Sequence, residues 1–73
     1  MGKYHNINDN VKINFPVPKS LQELFDEAER LDMEDNAAYY CYADQIDVDS
    51  KNLFAAGKLT EEQWDTICSR YRM

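Results

Sequence analysis

Apolar residues recur at helical spacing in three stretches of the chain. In the first stretch they are Leu21, Leu24, Phe25, Ala28 and Leu31. This spacing places them on one face of a helix, with the charged residues opposite. The preceding run from Ser20 to Glu23 has the form of a capping box, in which the serine hydroxyl and the glutamate carboxylate satisfy each other's backbone amides. We therefore predict a first helix over residues 21–32.

The second stretch is apolar over much of its helical circumference. Its main apolar face holds Ala38, Tyr39, Tyr42, Ile46, Leu53 and Ala56. A helix with so wide an apolar face is typically central, with neighbours on two sides. Asp35 or Asn36 can cap its start, and Gly57 can end it. We predict one helix over residues 36–56, with an irregularity or a break at the polar run 47–50 left open.

The third stretch begins with another capping box, Thr60-Glu61-Glu62-Gln63. Leu59 before the box and Trp64 after it form a hydrophobic staple. The apolar face continues with Ile67, Cys68 and Tyr71. We predict a third helix over residues 61–71. Because only three residues link it to the second helix, the two helices should form an antiparallel hairpin.

The residues before the first helix follow a different pattern. Residues 1–10 are polar and rich in asparagine, without periodicity, and we interpret them as a flexible tail. Apolar and polar residues alternate over 11–15, and Pro16 and Pro18 favour an extended path. With no second strand predicted, this part should lie as an extended strap against the helices. The predicted fold class is all-α: a single helical domain over residues 11–73, with three helices and an N-terminal strap.

Length and composition exclude several classes of protein. A chain of 73 residues has room for one small domain, and none of its apolar runs approaches the roughly 20 residues needed to cross a bilayer. Cys41 and Cys68 lie too far apart in the predicted hairpin for a disulfide, and they lack the ligand spacing of a zinc site. We expect no metal, no cofactor and a reducing, cytoplasmic compartment. Without a nucleophile–base set or a phosphate loop, we expect no enzymatic activity.

The charge is concentrated in one part of the chain. The formal net charge is −6, and residues 21–49 carry ten acidic residues against one base, Arg30. Acidic side chains on a helix can attract a basic partner and speed its association. They can equally serve only to keep a small protein soluble, so both interpretations stay open. Direct binding of nucleic acid is disfavoured, because the basic residues are few and scattered.

Six residues form the predicted partner-binding surface. Five are acids that can steer a basic partner. The sixth is a tyrosine that points away from Tyr39 and Tyr42, so that the core cannot easily hold all three. The six residues are Glu23, Asp26, Glu27, Tyr40, Asp44 and Asp47.

Residues 53–64 resemble the helical hairpin of SHOCT-type short domains. An apolar helix end, a glycine, a basic residue, an aliphatic residue, a threonine, two acids and an aromatic residue follow in that order. The resemblance implies an accessory oligomerisation or interaction element without catalytic residues. In size and charge the whole chain also resembles the short acidic proteins of bacterial phages and mobile elements, some of which inhibit nucleases of host defence.

These observations predict a non-catalytic, acidic interaction module that binds the basic surface of another protein. Its sharpest form is a phage or mobile-element inhibitor of a nucleic-acid-processing or defence protein, acting as a DNA mimic or in the manner of an anti-CRISPR protein. The alternative is a structural or assembly protein in which apolar surface of the second helix closes a homodimer. A steered complex weakens as salt rises, whereas an apolar dimer does not.

Overall fold

The computed structural model describes residues 4–71 and contains three α-helices. They are α1 (Lys19–Met33), α2 (Tyr39–Ala55) and α3 (Glu61–Tyr71), and no strand is present among the described residues. The all-α fold class is confirmed. α2 packs against both α1 and α3, as expected for the helix with the widest apolar face. No helix within residues 4–71 combines the length and the apolar character needed to cross a membrane.

The core lies where the helices meet the N-terminal segment. Phe25 of α1 stacks on Tyr71 of α3, with ring centroids 5.0 Å apart. Tyr39 of α2 is buried and donates its hydroxyl proton to the carbonyl oxygen of Tyr71 at 2.9 Å. The buried apolar residues are Ile7, Leu21, Phe25, Ala28, Leu31, Tyr39, Ala43, Ile46, Leu59, Ile67 and Tyr71. Large aromatic rings therefore join α1 to α3 beside the central helix.

α1 begins earlier than predicted and lacks the predicted capping box. It starts at Lys19, and no side chain caps it. The carbonyl oxygen of Pro18 instead accepts the amides of Leu21 and Gln22, each at 3.0 Å. The φ of Pro18, −57°, suits the start of a helix, so the proline turn initiates α1 and leaves Ser20 inside the first turn. The capping-box prediction for residues 20–23 is wrong for this reason.

The link between α1 and α2 is a Schellman motif built on an aspartate. Asp35 has a φ of 54°, in the left-handed region, and the next amide, of Asn36, donates to the carbonyl oxygen of Leu31 at 2.9 Å. The side chain of Asn36 then accepts the amide of Ala38 at 2.9 Å. These residues end α1 and make a turn, so α2 begins at Tyr39. Neither Asp35 nor Asn36 caps α2, and the predicted start at residue 36 is wrong.

α2 continues without a break through residues 47–50. Ser50 is buried and donates its hydroxyl proton to the carbonyl oxygen of Asp47 at 3.2 Å. This bond satisfies the serine within the helix, which is how a buried hydroxyl is accommodated at a helix interior. One helix, and not two, is therefore confirmed.

The turn between α2 and α3 follows the sequence prediction closely. Gly57 has a φ of 76° and ends α2, with the amide of Lys58 donating to the carbonyl oxygen of Leu53 at 2.9 Å. Thr60 and Gln63 then cap α3 reciprocally, at 3.0 and 3.1 Å. The predicted third helix and its capping box are confirmed. Across the turn Phe54 stacks on Trp64, with centroids 4.8 Å apart.

The N-terminal segment, residues 4–18, lies against the helices. Over 11–18 partly buried residues alternate with exposed ones, as predicted for the strap. Ile7 is only 5% exposed and belongs to the core. We predicted a flexible tail for residues 1–10, but from Tyr4 onward the structure places this stretch on the helices; residues 1–3 are outside the described part. The reason is the buried carboxylate of Asp32, which accepts the backbone amides of residues 5–7 and which the sequence pattern places among the surface charges.

Candidate protein-interaction site

The six predicted partner-binding residues fall on two surfaces. Glu23, Asp26 and Glu27 lie on α1, and we call this surface the α1 acidic face. Tyr40, Asp44 and Asp47 line a cavity beside α2, together with Asn6, Tyr39, Ala43 and Tyr71. We call this cavity the α2 depression. No residue of α1 lines it, so the structure divides the predicted surface into two.

The α1 acidic face is partly neutralised by its own helix. It points away from the side of α1 that is buried, as the helical period requires. The guanidinium of Arg30 donates to Glu27 and, at 3.1 Å, to Glu34. The bond to Glu27 raises the pKa of Arg30 above its ordinary value. Among residues 4–71, neither Glu23 nor Asp26 forms an ion pair, so the charges of these two carboxylates are not neutralised by a neighbouring cation.

The α2 depression has a volume of about 230 Å³ and is built around Tyr40. The Tyr40 side chain is 58% exposed. Its ring meets the buried ring of Tyr39 edge to face, with centroids 5.6 Å apart. Its hydroxyl donates to the side-chain oxygen of Asn6 at 3.3 Å. An exposed aromatic side chain held at both ends loses little conformational freedom on binding, which suits an interface anchor.

The depression is negatively charged. Asp44 and Asp47 are three residues apart on one side of α2, which makes them neighbours on the helix surface. Within the described part of the chain, no lysine or arginine lies at ion-pair distance from either carboxylate. Burial, followed by the charges of Asp47 and Asp65, raises the pKa of the Cys68 thiol on α3. A cationic group entering the depression would therefore meet two carboxylates beside an aromatic ring.

A further acidic surface runs along α3. A cavity of about 410 Å³ is lined by Glu61, Glu62, Trp64, Asp65 and Cys68. From the sequence, Glu61 and Glu62 were expected only as parts of the cap of α3. Within residues 4–71 no group of three or more His, Cys, Asp or Glu side chains is placed to hold a metal ion. This surface shares no lining residue with the α2 depression, and it offers a matched control for charge variants.

Asp32 is the most important residue that sequence analysis missed. Its side chain is 0% exposed. Its carboxylate accepts the amides of His5, Asn6 and Ile7 at 3.0, 2.8 and 2.9 Å, and the side-chain amide of Asn6 at 2.9 Å. Burial by itself raises the pKa of Asp32, but these hydrogen bonds outweigh burial and lower it below its ordinary value. The available signal was position: Asp32 follows Ala28 by four residues on the apolar face of α1.

Arg70 and Glu29 form a second polar anchor for the N-terminal segment. Arg70 is buried, with its side chain 8% exposed, and its guanidinium donates to the carbonyl oxygen of Val11 at 2.7 Å and to Glu29 at 3.2 Å. Tyr71 donates its hydroxyl proton to the same carboxylate at 2.8 Å. Burial strongly raises the pKa of that hydroxyl. Glu29 and Asp32 thus belong to the fold, and the charge open to a partner is smaller than the sequence suggests.

Comparisons with known proteins add no assignment. No protein-family model, no curated protein and no solved structure matches this chain. The resemblance of residues 53–64 to a SHOCT-type hairpin stays an expectation.

Proposed function

We propose that the protein is a non-catalytic interaction module whose α2 depression receives the basic surface of another protein. The observation that carries the proposal is Tyr40, a large aromatic residue that is 58% exposed yet held by Tyr39 and Asn6. It lines the depression together with Asp44 and Asp47, which form no ion pair within residues 4–71. Aromatic anchors supply much of the binding energy of protein interfaces. Carboxylates around such an anchor select a partner that brings lysine or arginine.

In this proposal the α1 acidic face has a different role. Glu23 and Asp26 are exposed and carry no ion pair among the described residues, so they add to the field without a built contact. Such charges raise the association rate and leave the dissociation rate nearly unchanged. In this proposal the α1 acidic face attracts the partner, and the α2 depression holds it once it is bound.

The partner class that best suits these features is a protein with a nucleic-acid-binding groove. Such grooves combine lysine and arginine with surfaces shaped for a row of negative charges. A small acidic protein that occupies one acts as an inhibitor, and the chain's net charge of −6 fits that role. We propose that the inhibitor acts in the cytoplasm of bacteria and is encoded by phages or mobile elements. Its target would be a host defence protein with a groove of this kind.

The test compares three variants against a partner recovered from lysate of the native host. Tyr40→Ala should speed dissociation about tenfold or more, as for an interface hot spot. Asp44→Asn with Asp47→Asn should slow association at low salt and less at high salt. Glu23→Gln, Asp26→Gln and Glu27→Gln together should slow association by roughly an order of magnitude without changing dissociation. Surface plasmon resonance over a salt series gives both rates.

A matched control separates the site from net charge. The double variant Glu61→Gln, Glu62→Gln also removes two negative charges, but it removes them from α3 and not from α2. It should affect association less than the α2 variant does. Equal effects of the two double variants, together with a Tyr40→Ala protein that binds normally, would refute the proposed site.

A homo-oligomeric assembly protein is the second candidate function. Cys41, Val48 and Ala55 are one heptad apart on the outer face of α2, and all three are exposed, Val48 by 50%. These three residues form one narrow exposed stripe along α2, which a second copy of the helix could cover. Light scattering after size exclusion decides: a dimer that persists at high salt and is lost in Val48→Lys favours this candidate over the first.

A further inference from the structure

We infer that Asp32 is a positioning residue for the α2 depression, acting on Tyr40 through Asn6 of the N-terminal segment. This inference rests on the proposed function in one respect only, that the depression is the partner site. The coupling itself is a property of the fold and is testable without a partner.

The coupling runs through one side-chain amide. The nitrogen of the Asn6 amide donates to Asp32 at 2.9 Å. The oxygen of the same amide accepts the hydroxyl of Tyr40 at 3.3 Å. An asparagine amide is planar, so its orientation is fixed when both ends are bonded. Asp32 at the end of α1 thereby sets the position of the acceptor that holds Tyr40 on α2.

The backbone around Asn6 is held by the same carboxylate. Three successive amides, of residues 5–7, converge on Asp32. Because one buried side chain satisfies all three amides, its loss releases them together. No helix or strand includes these residues, so the release needs no other secondary structure to open. The segment from Tyr4 to Ile7 is thus held on the helices by Asp32 and places Asn6 in the lining of the α2 depression. We call this segment the latch.

The rest of the N-terminal segment has an independent attachment. The amide of Asn8 donates to the carbonyl oxygen of Arg70 at 2.8 Å, and the Arg70 side chain donates to Val11 at 2.7 Å. Release at Asp32 is therefore expected to stop at Asn8 and to leave the strap seated. Within the latch, Ile7 is buried in the core and Tyr4 packs against the core, with its ring centroid 5.8 Å from the Arg70 guanidinium; these contacts help to keep the latch closed in the wild type.

The first test uses hydrogen exchange of the intact protein, followed by NMR. In Asp32→Asn the amides of residues 5–7 should exchange roughly tenfold faster or more, because hydrogen bonds to a charged acceptor are the stronger ones. The amide of Asn8 should change by less than about twofold, since its acceptor is unaltered. Acceleration of all four amides by the same factor would show general destabilisation and would overturn the latch.

The second test avoids any loss of folding at Asp32. Asn6→Ala removes the bridge but keeps the three backbone bonds, and Asn14→Ala is the control, an exposed asparagine of the same segment. The ring signals of Tyr40 should shift in Asn6→Ala and in Asp32→Asn but not in Asn14→Ala. Unchanged Tyr40 signals in Asn6→Ala would overturn the coupling, whatever the effect on stability.

The proposed function fails separately from the latch. If the Tyr40 signals respond as expected and the recovered partner dissociates at least several times faster from Asn6→Ala than from Asn14→Ala, both are supported. If the Tyr40 signals respond but Tyr40→Ala binds the partner normally, the coupling holds and the depression is not the partner site. If the signals do not respond, the coupling is wrong and the binding results judge the site alone.

Discussion

Replacing Asp35 by glycine should stabilise the protein, which is an unusual expectation for a glycine substitution. Asp35 ends α1 with a φ of 54°, where residues with a side chain pay a steric cost. That cost is about 1–2 kcal/mol for an ordinary residue, and less for aspartate. Asp35 also places a negative charge at the C-terminal end of a helix, which is unfavourable by roughly 0.3–1 kcal/mol.

The opposing terms are smaller. Glycine loses about 0.5–1 kcal/mol more than other residues through the freedom of the unfolded chain. The contact of Asp35 with His5 is 4.0 Å long and exposed, so it contributes little. The balance is a stabilisation of about 0.5–1 kcal/mol, which raises the melting temperature by about 2–8 °C in a domain of this size.

Two further variants separate the causes. Asp35→Asn removes the charge but keeps a side chain that tolerates this backbone, so it reports the charge effect alone. Gly57→Ala makes the reverse change at the second Schellman motif, where φ is 76° and no atom beyond Gly57 and its two chain neighbours lies within 4 Å of an added Cβ. Its expected loss of about 1 kcal/mol therefore comes from strain in the local backbone and not from a clash with the surrounding structure. Urea and thermal unfolding followed by circular dichroism measure all three.

The sign of the stability change in Asp35→Gly decides whether this reasoning holds. If Asp35→Gly lowers stability while Gly57→Ala behaves as expected, the Asp35 side chain contributes an interaction larger than its backbone cost. If Gly57→Ala is neutral, the left-handed turn after α2 is not the one described.

Three other predictions concern stability. Thr60→Ala should cost about 1 kcal/mol because Thr60 caps α3, whereas Ser20→Ala should be nearly neutral; equal losses in thermal melts would restore the rejected cap. Trp64→Ala should cost roughly 3 kcal/mol through the lost packing of the indole ring, which includes its stack on Phe54, and a loss well under 1 kcal/mol in urea would make the tryptophan peripheral. The lowered pKa of Asp32 means that its contribution is present above its unfolded pKa of about 3.9 and is lost as pH falls through the folded value. An acid titration of stability should therefore be shallower in Asp32→Asn, and identical curves would contradict the hydrogen bonds seen at this carboxylate.

The candidate site shows why a charge map overstates a recognition surface. The acidic stretch over residues 21–49 reads as one patch when the charges are only counted. In the structure Glu29 and Asp32 hold the N-terminal segment, and Arg30 neutralises part of α1. The six predicted residues also separate into two surfaces, because the period of a helix decides which side chains share a side, and helix packing decides which sides meet.

Local chemistry was enough for the three helices and for the turn after α2. The stripe of apolar residues in α1, the glycine at 57 and the reciprocal cap of Thr60 and Gln63 each act over a few residues, so neighbours in sequence determine them. Two local patterns competed at the starts of α1 and α2. There Pro18 displaced a serine cap, and a left-handed Asp35 displaced a helix start.

Only the tertiary structure decided the role of the N-terminal segment. Asp32 and the amides it binds are at least 25 residues apart in sequence, and Arg70 reaches Val11 across 59 residues. No periodicity in residues 4–10 announces these bonds, because a carboxylate satisfies backbone amides whatever side chains they carry. The polar side chains of this segment suggested a flexible tail. The segment is nevertheless attached, because its backbone amides and not its side chains make most of the hydrogen bonds to Asp32. The spacing of apolar residues predicts a helix because helical contacts are local. The same spacing cannot predict a segment whose backbone is bound by a buried carboxylate far away in the sequence.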